Sequence, residues 1–159
     1  MAVWQFQVTL VPKRWLEAGG SIAALFSEEG WDPAVAWSSF DGEGIDERLG
    51  RVLPPGKSWS ASLSQWGSDE LDDIRLWRDN GRIASLFVRF DLRTPNMALF
   101  RDVARFVGEH HLAMIDPACK RRIHDLEGLL RAAGESNAAH FVLDPLSFLS
   151  QIDTDTRAT

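Results

Sequence analysis

The chain has 159 residues, 45% hydrophobic and 25% charged, which suits one globular domain with a full core rather than a disordered or fibrous chain. Its net charge of −6 argues against a general nucleic-acid binder, which needs surplus cations to displace condensed counterions. One cysteine, Cys119, precludes an intrachain disulfide framework, and no run reaches the roughly 18 apolar residues of a membrane helix.

The opening "MAVWQFQVTL" lacks the layout of a secretion signal, so the expectation is a cytoplasmic protein with neither membrane nor nucleic acid as partner. Within 3–11, Trp4, Phe6, Val8 and Leu10 alternate with Gln5, Gln7 and Thr9, which predicts a strand with one wet face. "RWLEAGG" predicts a helical turn and "SIAALFSEEG" a helix, each closed by glycine. Residues 31–43 read as irregular, a short helix follows at about 45–52, and "SASLSQWG" reads as another helical turn. Together 31–68 form a Trp-rich insertion.

The strongest local signal is Asn80-Gly81 between "LDDIRLW" and "RIASLFVRFDL". Both turn residues tolerate positive φ, so the pair predicts a two-residue hairpin turn with Asp79 opposite Arg82. Carried along both strands, that register sets Trp77 opposite Ala84, Arg75 opposite Leu86, Ile74 opposite Phe87 and Asp72 opposite Arg89. The first hairpin strand, with its charges, reads as a sheet edge. Thr94 and Pro95 then predict the start of a helix with a broad apolar stripe. "HLAMID" predicts a strand, and short helices follow to about residue 152. The expected architecture is α+β: a ferredoxin-like βαββαβ antiparallel sheet with helices on one face, the 31–68 insertion and a C-terminal helical extension. The domain spans 1–152, with 153–159 a flexible tail.

Several fragments look like chemistry and fall short of it. "LPPGKSWSAS" carries Gly56-Lys57-Ser58, the end of a phosphate loop, but position 51 is arginine where the loop needs glycine, and Pro54 and Pro55 supply no amide N–H. It reads as a rigid turn that delivers Trp59 toward the sheet. His110, His111, Asp116, Cys119 and His124 have no metal-ligand spacing, so no metal, catalytic residue or cofactor is assigned. Cys119 beside Lys120, Arg121 and Arg122 has the neighbourhood of a thiol with a lowered pKa, but no formed nucleophile site.

The hairpin "DIRLWRDNGRIASLFVRFDLR", the helix after it and the "LAMID" strand resemble small single-domain bacterial proteins of immunity type, which neutralise polymorphic toxins by binding them. The resemblance covers roughly residues 70–116 and carries over no functional residue. It implies an acidic cytoplasmic binder without catalysis.

The expected contact surface is the open sheet face: Gln5, Gln7, Asp72, Phe87, Arg89 and Asp91, joined by the acidic Asp69 and Glu70. Ile74 and Leu76 would share that face. A mixture of charge with a central aromatic suits a protein partner, a basic one in particular, or a homodimer. The competing expectation is a small enzyme or ligand-binding domain, its Trp-lined pocket lying between sheet and insertion, with Asp72, Asp91, Arg89 or His140 as polar groups.

Overall fold

A computed structural model describes residues 1–40 and 42–148; the expected tail at 153–159 lies outside the described residues. The strands are β1 (Gln5–Pro12), β2 (Phe26–Ser27), β3 (Gly30–Trp31), β4 (Leu63–Gly67), β5 (Asp73–Asp79), β6 (Arg82–Asp91), β7 (Leu112–Asp116) and β8 (Arg121–Ile123). The helices are α1 (Lys13–Glu17), α2 (Ala34–Trp37), α3 (Ile45–Leu49), α4 (Met97–Glu109), α5 (Leu126–Gly134) and α6 (Asn137–Leu143), with a 3₁₀ turn at Ile22–Leu25. Six strands form one antiparallel sheet in the order β4-β5-β6-β1-β7-β8, and β2 pairs with β3. The α+β class holds. The sheet has two strands more than the four of a simple ferredoxin-like arrangement, so that finer description is not established.

Neither extra strand is among those expected from the sequence. "LSQWG" is β4 rather than a helical turn, which moves β5 from the edge to the interior. Its outer side is closed by the Pro-Pro-Gly segment. Gly56 N–H donates to the Gln65 carbonyl at 2.8 Å, and Gly67 N–H donates to the Pro54 carbonyl at 2.8 Å. The segment therefore uses Gly56 as strand cover and leaves no phosphate cradle there. A Cβ at Gly56 would sit 2.5 Å from the Gly67 carbonyl oxygen. At the other edge, β8 folds back on β7 after Asp116 caps the turn through the Ala118 and Cys119 amides.

The helix expected in "SIAALFSEEG" is only a 3₁₀ turn running into the β2–β3 hairpin, with Ser21 capping Ala24. Helix α4 starts two residues beyond Pro95, because Asn96 Oδ1 accepts the Leu99 amide and supplies the cap.

The first sheet face packs Phe6, Val8, Leu10, Ile74, Leu76, Leu86, Val88, Phe90 and Met114 against α3, α4 and α5, with Phe90 stacked on Phe100. A smaller cluster on the second face joins Val11, Ala113 and Ile115 to Leu25 and Ala36, with Trp15 and Trp31 beside it. Ala36 belongs to one cluster and its neighbour Trp37 to the other, so α2 crosses the end of the sheet. The chain from 13 to 31 thus covers the β1–β7 half of the second face, and α3 joins the first. Helices on one face only was too simple: the second face is half dressed.

Candidate functional site

The hairpin sets the geometry of what remains open. Asn80 (φ 49°) and Gly81 (φ 78°) make the expected left-handed turn, and Asp79 faces Arg82. Arg78 then faces Ile83 while Trp77 faces Ser85, so Ala84 is an extra residue, a β-bulge. Beyond it the register is displaced by one, and a one-residue slip turns every side chain to the opposite face. Ile74 and Leu76 therefore enter the core, where they are buried. Asp73, Arg75 and Trp77 take the second face. Arg89 faces Asp73, not Asp72.

Asp73 is fully buried and holds two arginines. Its Oδ1 accepts Arg89 Nε at 2.6 Å, and its Oδ2 accepts Arg89 Nη2 and, at 2.9 Å, Arg75 Nε. Arg75 Nη2 and Gln65 Nε2 both donate to Asp69 Oδ1 in the loop before β5. These bonds hold the Asp69 carboxyl below the usual range, the Gln65 amide first and the Arg75 guanidinium next, against the opposing loss of hydration. Gln5 is buried, and its Nε2 donates to the carbonyls of Asp69 at 3.1 Å and Leu71 at 2.6 Å. The loop 68–72 is thereby pinned across the end of the second face.

Of the eight contact residues expected from sequence, Gln5, Arg89 and Asp91 are buried and committed to internal bonds. Asp91 binds Arg93, whose guanidinium holds its carboxyl below the usual range. Asp72 is half-buried and accepts the Asp91 amide at 2.8 Å; burial pushes its carboxyl up, and the amide only partly opposes this. Gln7 and Phe87 are half-buried on the second face, and Asp69 and Glu70 are exposed. Arg89 and Asp91 therefore form the floor, and the rim is accessible.

Sequence reasoning missed the aromatic part of this surface. Trp59 is 66% exposed and lies edge-to-face on Trp77, ring centroids 5.3 Å apart. Phe87 is the second-face residue diagonal to Trp77. The signal was present: Asp73, Arg75 and Trp77 at alternate positions share one strand face, hidden only because the bulge was not foreseen. A shallow depression of about 430 Å³ lies beside the pair, lined by Lys57, Trp59, Gln65, Ser68, Asp69 and Glu70 among others.

The tryptophans of the insertion do not frame one pocket with the polar groups named from sequence. Trp37 and Trp66 are in the first-face core. His140 is on α6, whose Ala138 packs into that same core, whereas Arg89 and Asp91 point to the second face. Among the described residues no group of three or more His, Cys, Asp or Glu side chains gathers as a metal site. The Cys119 thiol is pushed up, not down, by loss of hydration and the neighbouring Asp116 carboxylate. Among the described residues no helix is long and apolar enough to cross a membrane. Comparison of the chain with protein-family models, curated proteins and solved structures finds no match.

Proposed function

We propose that this chain is a non-catalytic protein-interaction module that works in the cytoplasm and engages a basic partner protein, in the manner of the immunity proteins its hairpin resembles. Its contact surface is the uncovered half of the second sheet face, around Trp59, Trp77 and Phe87 with Asp69 and Glu70 at the rim. In this reading β5-β6-β1-β7 is a ferredoxin-like kernel, extended by an edge strand on each side.

The observation that carries it is the pairing of accessible aromatics with a floor that is already cross-linked by Asp73, Arg75 and Arg89. Interface hot spots favour tryptophan on preorganised surfaces, where little side-chain entropy is lost on binding. The net charge of −6 favours encounter with a cationic partner.

The test is affinity capture from the source cells with the natural chain, a Trp59→Ala/Phe87→Thr double variant, and Glu127→Lys on α5 as a distant control. The expected result is a basic protein captured by the natural chain and by the control and lost by the double variant. An unchanged captured set, or no captured protein, overturns the reading. A dimer in sedimentation, dissolved by the double variant, would replace the foreign partner with a second copy.

A further inference from the structure

The depression beside Trp59 holds several hydrogen-bond acceptors that lack donors. Gln65 lines it and is 6% exposed, yet its Oε1 is buried with no hydrogen-bond partner. The amide cannot usefully be reversed, because its other atom faces the carboxylates of Asp69 and Asp73 and so must be the nitrogen. Asp69 uses only Oδ1 for its inward bonds, which leaves Oδ2 unbonded among the described residues. Glu70 is exposed, and its carboxylate makes no hydrogen bond or close ion pair among them, although its charge is felt by Arg93. Three acceptor groups thus share the lining of the depression with an indole whose surface is mostly exposed. A buried amide oxygen without a donor is costly, so the site is matched to a ligand rich in N–H groups.

Resting on the interaction reading above, we propose that the depression receives an arginine side chain of the partner, its guanidinium against Trp59 and its N–H groups shared among Gln65 Oε1, Asp69 Oδ2 and the Glu70 carboxylate. A guanidinium offers five donors in a plane and stacks on aromatic faces, which a lysine ammonium or a sugar hydroxyl does not combine. Arg75 and Arg89 already neutralise part of the Asp69 charge; the exposed feature opposed to a cation is Lys57, at the rim and with no ion pair among the described residues. Lys57 turns that opposition into a test, because its removal must strengthen binding of a cation and weaken binding of an anion.

The experiment follows the indole N–H signals and backbone amides of the full chain by NMR during titration with blocked Gly-Arg-Gly, Gly-Lys-Gly and Gly-citrulline-Gly peptides. The arginine peptide is expected to shift the Trp59 indole and the amides of 65–70, binding several-fold tighter than the lysine peptide. The citrulline peptide, equal in shape but uncharged, is expected to leave those signals unmoved. Trp59→Ala and Glu70→Gln, both surface changes, abolish or weaken the effect, and Lys57→Ala tightens it. Equal binding of the citrulline peptide, no shift at Trp59, or weaker binding after Lys57→Ala overturns the proposal. If the peptide fails while Trp59→Ala/Phe87→Thr still loses its captured protein, the arginine site falls and the interaction reading stands. If the peptide binds and capture fails, the interaction reading falls alone.

Discussion

On its first face the sheet presents Phe6, Val8, Leu86, Val88 and Phe90 to a layer of helices; on its second, the same two strands present Gln5, Gln7, Phe87, Arg89 and Asp91. The first face is held by apolar burial, which is non-directional and scales with area. The open half of the second is held by directional contacts among Gln5, Gln65, Asp69, Asp73, Arg75 and Arg89. The difference shows how a sheet can keep one side uncovered without filling it with solvated lysines and glutamates. Its charges are paired with one another, and its aromatics are left to face outward.

Breaking each face should read differently. The largest expected effect is on the first: Phe90→Ala removes a ring stacked between Phe6 and Phe100 and should cost about 3–5 kcal/mol in urea unfolding. On the second face, Asp73→Ala should cost a similar amount, about 3–5 kcal/mol, because it leaves the buried Arg89 with only the more distant Asp69 carboxylate, at 3.8 Å. The sharper result is the rescue. Replacing both, as Asp73→Leu/Arg89→Met, should recover most of that loss, since a buried ion pair often contributes little net stability over an apolar pair. No second substitution of comparable size should rescue Phe90→Ala.

Gly56→Ala tests the cover on the β4 edge. Its Cβ would collide with the Gly67 carbonyl, so unfolding should show a loss of about 1–3 kcal/mol from the forced backbone shift.

Two carboxyls of the second face should respond to pH with opposite signs. Asp91 has a depressed pKa when folded, so its stabilisation is present above the unfolded value of about 3.9 and is lost as pH falls through the folded value. Asp91→Asn should therefore lower the thermal midpoint at neutral pH, the gap closing on acidification. Asp72 has a raised pKa when folded, so ionising it costs stability as pH rises from about 3.9 through the folded value. Asp72→Asn keeps an acceptor for the Asp91 amide and should be the more stable form at neutral pH, with the gap again closing in acid. The smallest effect is on the outward aromatics: Trp59→Ala should change stability by less than about 0.5 kcal/mol.

The hairpin shows how much of this was legible. Asn80-Gly81 announced its turn through residues that accept positive φ, and β1 announced one apolar and one polar face through its period of two. The site was legible only in part. Of its expected members the rim residues Asp69, Glu70, Gln7 and Phe87 remain accessible, whereas Gln5, Arg89 and Asp91 were taken up by internal bonds. Trp59 could be traced to a stiff turn but not to a face, because Trp77 points to the second face only once Ala84 is bulged out.

The amino-acid sequence by itself determined the α+β class, the β5–β6 turn, the apolar stripe of α4 and the apolar face of β1; the wet face expected of β1 is covered, with Gln5 and Thr9 buried and only Gln7 partly exposed. Each of these depends on local periodicity or on the φ preference of one or two residues. Only the tertiary structure decided that "LSQWG" is an edge strand, that Asp73 and not Asp72 meets Arg89, and which half of the second face stays open. Those outcomes depend on partners distant in the chain. Gly56 and Pro54 close β4, a single extra residue in β6 resets the register of β5, and the segment from 13 to 31 folds over one half of the sheet and not the other.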